Sequence, residues 1–190
     1  MRQLNKAVKM LCEAAGREAD KQLGLELSET VQIHSGAAAA AGLASGWIPG
    51  AGALAASGIA AASIWSMYAR INNALGLSLS ENILKSLAAG VAANLASYFV
   101  GGLVIGTVFS LVPGLGSVAS SVVVGGTIYA LTVASGIVYM KVLTELFEAG
   151  VDPTKLDEEQ LKARSMKAAE GLDFDAIKKE ATSSYKKSKK

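Results

Sequence analysis

The chain has 190 residues, of which 51% are hydrophobic and only 18% charged, below the ~25% charge usual for soluble domains. The net charge of +2 says little by itself, and no nucleic-acid partner is expected. The single cysteine, Cys12, excludes an internal disulfide framework and any C-x-x-C metal or redox pair.

The first 30 residues carry Arg2, Lys6, Lys9, Glu13, Arg17, Glu18, Asp20 and Lys21 and lack the apolar core of a secretory signal. Arg2 to Leu23 reads as one amphipathic helix stopped at Gly24. Leu4, Ala7, Val8, Leu11, Cys12, Ala15 and Ala19 recur at helical spacing and leave the charges opposite. Cys12 lies on that apolar stripe and reads as a small core residue rather than a nucleophile.

Thr30 to Ala69 is a charge-poor run whose one titratable side chain of note is His34. Pro49-Gly50 divides it into two arms, Val31–Ile48 and Ala51–Ala69, each about 27–29 Å long as helix. Ala and Gly dominate these arms and add little hydrophobic driving force. A shallow re-entrant hairpin therefore competes with a membrane-spanning one here.

Arg70 to Lys85 connects this run to a longer one. Gly76 is a plausible helix stop, and Ser78-x-x-Glu81 fits a capping box. Glu81 and Lys85 stand one turn apart in the favourable order. Ser86 to Met140 is then 55 residues without one Asp, Glu, Lys, Arg or His. About 20 apolar residues suffice to cross a bilayer, and Pro113-Gly114 breaks this run near its middle. Two arms follow, Ser86–Val112 and Leu115–Met140, each about 40 Å as helix. The competing reading is a buried hairpin inside a soluble bundle. A polar helix stopped by Gly171 follows Asp152-Pro153, then a last helix behind Asp173 and a basic end, Lys186 to Lys190. Attraction of that end to anionic lipid is the functional alternative to a merely solvated tail.

The two Pro-Gly turns look like an internal repeat. Ile48-Pro49-Gly50-Ala51-Gly52 parallels Val112-Pro113-Gly114-Leu115-Gly116, and Leu75-Gly76 corresponds to Ala149-Gly150. All 18 Lys and Arg lie in the N-terminal segment, in the connector with Arg70 and Lys85, or from Lys141 onward. By the positive-inside bias both termini and the connector are expected on the cytoplasmic side, with both tips pointing into or across an integral membrane position.

Chemistry-bearing constellations are sparse. Both turns open a G-x-G-x-x-A, but each follows a Pro within an apolar helical run. Neither has an acidic residue near 20 positions on, so dinucleotide binding is not expected. No Gly-Lys dipeptide exists, which removes a P-loop. His34 is the sole histidine. No catalytic residue, metal site or cofactor is expected. Small residues at helix-packing spacing are abundant: Gly42 and Gly46, Gly102 and Gly106, and Gly125 with Gly126. They serve packing within one chain or between chains of a homo-oligomer.

Val112-Pro113-Gly114-Leu115-Gly116-Ser117-Val118-Ala119-Ser120, Gly125-Gly126-Thr127-Ile128-Tyr129-Ala130-Leu131 and Ile137-Val138-Tyr139 together resemble the YcjF/GTPase-associated membrane domain of unknown function. The resemblance spans roughly Val31 to Gly150. It implies a stand-alone membrane module with a separate GTPase as candidate partner, since no GTPase domain accompanies it here. It supplies no catalytic residues.

The expected fold is thus all-α: two helix–Pro-Gly–helix membrane hairpins flanked by amphipathic and polar cytoplasmic helices. Residues 1–30 form an amphipathic segment, 31–150 the double-hairpin membrane domain, and 151–190 polar helices with a basic tail. The expected function is a non-enzymatic scaffold or membrane-shaping module whose first partner is the lipid bilayer. A pore-former that inserts an apolar hairpin is the alternative.

Overall fold

The computed structural model describes residues 1–45, 52–92, 94–95 and 116–188, and these are all-α. The helices are α1 (Arg2–Ala14), α2 (Lys21–Ser45), α3 (Gly52–Leu75), α4 (81–92), α5 (Gly116–Glu148), α6 (Glu158–Glu170) and α7 (Phe174–Ser188). A short 3₁₀ turn, Pro153–Lys155, precedes α6.

The N-terminal segment is two helices rather than one. Gly16 takes φ +68°, a left-handed conformation that side-chain-bearing residues avoid. The amides of Gly16 and Arg17 then donate back to Glu13 and Cys12, the Schellman closure. Asp20 restarts the chain, its Oδ1 accepting from Leu23 N at 2.9 Å. Arg17 bridges the gap, with Nη2 on Asp20 Oδ2 at 2.9 Å and Nη1 on the Ala74 carbonyl at 3.2 Å. That second bond sets the start of α2 beside the end of α3, so the two run antiparallel.

The same helix stop recurs where the repeat places it. Gly76 has φ +72° and Gly150 φ +65°. Leu77 N donates to Asn72 O, and Val151 N to Leu146 O. The expected stop at Gly76 is present, but the cap of α4 is Ser80, whose Oγ accepts from Ile83 N, rather than Ser78. The anticipated Glu81–Lys85 pair forms at 2.6 Å. Asp152 caps only the 3₁₀ turn. α6 has its own reciprocal box, Asp157 with Gln160, and ends before Gly171. Asp173 caps α7 through Ala176 N.

The fold is organised about α5, 33 residues and about 50 Å long. From Gly125 to Met140 every residue of it is buried. α1, α2, α3, α6 and α7 all pack on it. α1 contributes Leu4, Ala7, Val8, Leu11 and Cys12. Burial and the nearby Asp20 raise the Cys12 thiol above its ordinary value, so it stays a protonated core group. α6 adds Leu161, Ala168 and Ala169, and α7 adds Ile177, Ala181 and Tyr185.

Candidate functional site

The feature with functional content is a boundary along the helices. Below it, amphipathic helices wrap the base of the bundle. Above it, the arms carry no charge. α3 and α5 cross this boundary side by side in the same direction, and buried polar groups align them. Tyr68 and Tyr139 stack with ring centroids 4.0 Å apart and planes 19° apart. Tyr68 Oη lies 2.7 Å from Ser135 Oγ, and Tyr139 Oη donates to Asn72 Oδ1 at 2.6 Å. A phenol taken out of water needs such a partner, so these bonds select one register between the helices. Asn72 Nδ2 has no acceptor among the described residues.

Close backbone approach fixes the third helix. A Cβ on Gly136 would stand 2.9 Å from Val31 Cγ2 and 3.2 Å from Met67 Sδ. Gly136 is therefore where α2, α3 and α5 meet. Higher up, Gly42 of α2 packs against Ile128 of α5, whose Cδ1 would have to move to admit a Cβ. Of the residues singled out for packing, Gly42 thus closes the bundle within one chain. Gly126 faces α7 instead, where Tyr185 would meet its Cβ at an ordinary 3.7 Å, and Gly125 is buried on α5. Pro49, Gly50, Pro113, Gly114, Gly46, Gly102 and Gly106 lie outside the described residues. Spacing alone did not reveal Asn72 or the stacked tyrosines, whose partners are 67 residues away.

On α2 and α3 the exposed side changes character along the helix. On α2, Glu26, Glu29 and Gln32 face out, and then Ile33, Ala37 and Ala40 do. On α3, read upward from its end, exposed Arg70 gives way to exposed Ala62. On α4, exposed Lys85 is followed by exposed Ala89, and α6 lies alongside with Glu158 at Ser86 and Lys162 at Gly90. The Lys85 ammonium lies 5.1 Å above the ring of Trp65, which ties α4 to α3 at this height. On the α7 side Tyr185 packs on Tyr129 with centroids 5.5 Å apart, and Lys187 just beyond is exposed. His34 sits at the same transition and bonds locally. Its Nδ1 is 2.8 Å from the Thr30 carbonyl, which can only accept, so Nδ1 carries the proton.

Among the described residues, Gly125–Glu148 is the one segment long and apolar enough to cross a membrane, and most of it is covered by protein. The charge-free stretch expected to meet lipid as far as Met140 is thus shielded by other helices from Gly125 onward. Among the described residues no three His, Cys, Asp or Glu side chains gather as a metal site. No family model, curated protein or solved structure matches the chain.

Proposed function

We propose that this protein is a non-enzymatic membrane scaffold whose wrapped base rests on the cytoplasmic face while its charge-free arms enter the bilayer. The observation that carries this reading is the change along α2, where exposed Glu26 and Glu29 give way to exposed Ile33, Ala37 and Ala40. Trp65, half-buried, lies in that band, as interfacial aromatics do. Lys85 over Trp65 fits a cation drawn toward headgroups.

The arm lengths favour a wedge over a set of full crossings. Met67 and Gly136 are neighbours. From that level α3 rises 15 residues to Gly52, about 22 Å, and α5 rises 20 residues to Gly116, about 30 Å. α7 still covers α5 at Gly126, which leaves about 15 Å of α5 above the wrapper. Set against a hydrocarbon core of ~30 Å, both hairpins enter and leave by one face, the second one deeper. Such insertion expands one leaflet and bends the membrane toward the base. The polar outer faces of α1, α6 and α7 then present a surface for a soluble partner, and a GTPase is the candidate that the sequence resemblance suggests.

The second reading is a pore-former held soluble until its hairpins insert. The protein-covered Gly125–Met140 segment favours it, because that burial is what a water-stable resting state requires. One vesicle experiment separates the two. The scaffold is expected to float with liposomes, to resist alkaline carbonate, and to leave an encapsulated dye in place. Recovery of the protein in the soluble fraction together with dye release on mixing would replace the scaffold with the pore.

A further inference from the structure

A cavity of about 310 Å³ opens between α1, α5 and the turn that joins α6 to α7. Its lining is apolar at Ala7, Met10, Ile137 and Leu172 and cationic at Lys6 and Lys141. Lys141 is the first charge after the 55-residue charge-free run and the one cation on α5. It is half-buried, and its Nζ donates to the Ala168 carbonyl at 3.1 Å. Gly171 makes room for it, since a Cβ there would stand 2.7 Å from Nζ. Among the described residues neither Lys6 nor Lys141 is in an ion pair. The one carboxylate among the described residues lining the cavity, Asp173, is held by the start of α7, where its Oδ1 accepts from Ala176 N.

We propose that this cavity binds a small amphiphilic monoanion, a carboxylate on a short apolar chain. Beyond the Ala168 carbonyl the Lys141 ammonium has donors to spare, which a carboxylate would take as charge-assisted bonds, and the two lysines outweigh the one engaged carboxylate of the lining. The apolar part of the lining takes the chain. The volume lies at the lower end of the ~300–1,000 Å³ of small-molecule pockets, which suits a short acyl chain and not a whole lipid. The geometry of the base alone supports this site, so it stands whether or not the arms enter a bilayer.

The test uses the full chain in lipid nanodiscs with ¹³C-methyl methionine, titrated with sodium octanoate. The Met10 methyl, on the cavity wall, is expected to shift saturably. The Met166 methyl, exposed on α6 outside the cavity, is expected to stay in place. Octylamine and inorganic phosphate should bind at least tenfold more weakly. Lys141→Gln keeps a donor for Ala168, and Lys6→Gln lies on the exposed face of α1 where folding does not depend on it. Each should weaken octanoate about tenfold while the Met166 signal reports an intact fold. Octylamine or phosphate binding as well as octanoate, or octanoate binding unaffected by both substitutions, would overturn the proposal.

Discussion

Alanine at Gly136 and alanine at Gly36 should move stability in opposite directions. Both glycines are helical, so either substitution gains about 1 kcal/mol of helix propensity. At Gly36 a Cβ would meet nothing within 4 Å, and the gain is kept. At Gly136 the new carbon stands 2.9 Å from Val31 Cγ2 and 3.2 Å from Met67 Sδ and Val31 Cγ1. Val31 and Met67 are both fully buried and belong to different helices, so neither can swing away cheaply. Overpacking of this kind costs about 1–3 kcal/mol. The net expectation is a loss of about 1 kcal/mol for Gly136→Ala and a gain of nearly 1 kcal/mol for Gly36→Ala. Unfolding in mixed detergent, followed by circular dichroism at 222 nm, reads both. If Gly136→Ala proves as stable as Gly36→Ala, the three-helix junction is not where it is drawn.

Tyr139→Phe removes the hydroxyl that satisfies Asn72 and should cost about 1–3 kcal/mol, measured by the same unfolding. Adding Asn72→Leu should recover part of it, because both polar groups are then gone. Gly150→Ala should cost about 1–2 kcal/mol although no atom stands within 4 Å of the new carbon, since the loss comes from φ +65° alone. The Asp20 carboxyl is held below its ordinary range, first by the Leu23 amide and then by Arg17. Because the folded value is the depressed one, its contribution is complete above about pH 4 and disappears as pH falls through the folded value. Melting curves from pH 6 to pH 3 should therefore fall less for Asp20→Asn, which still caps α2 but has no charge to lose.

Much of the helical plan was legible because its signals are local. Gly76, Gly171, Asp173 and the Glu81–Lys85 pair are each read within one turn of chain, and the structure has them all. The break at Gly16 was missed because apolar spacing continues through Ala15 and Ala19, and a positive φ at one glycine leaves no trace in that pattern. Ser78 and Ser80 both precede a residue able to close a capping bond three positions on, Glu81 and Ile83, and the helix starts at the second. The cover over Gly125–Met140 could not be read at all. A charge-free stretch has the same composition whether lipid or protein surrounds it, and here the cover comes from α2 above all, with α1, α3, α6 and α7. Lys141 looked like the end of the apolar run, while its place under the Gly171 turn depends on α6 folding back.

The central claim, that the arms enter the bilayer while the base stays outside, can be tested with the chain's own two tryptophans, Trp47 and Trp65. Trp47 stands two residues before Pro49 of the first Pro-Gly turn, and Trp65 lies in the boundary band beside Lys85. Single-tryptophan proteins, Trp65→Phe and Trp47→Phe, would be reconstituted with lipids brominated either near the headgroup or deep in the acyl chain. The account predicts that Trp47 is quenched most by deep bromines and Trp65 most by shallow ones. Quenching of both residues by aqueous acrylamide, with neither responding to brominated lipid, would contradict it.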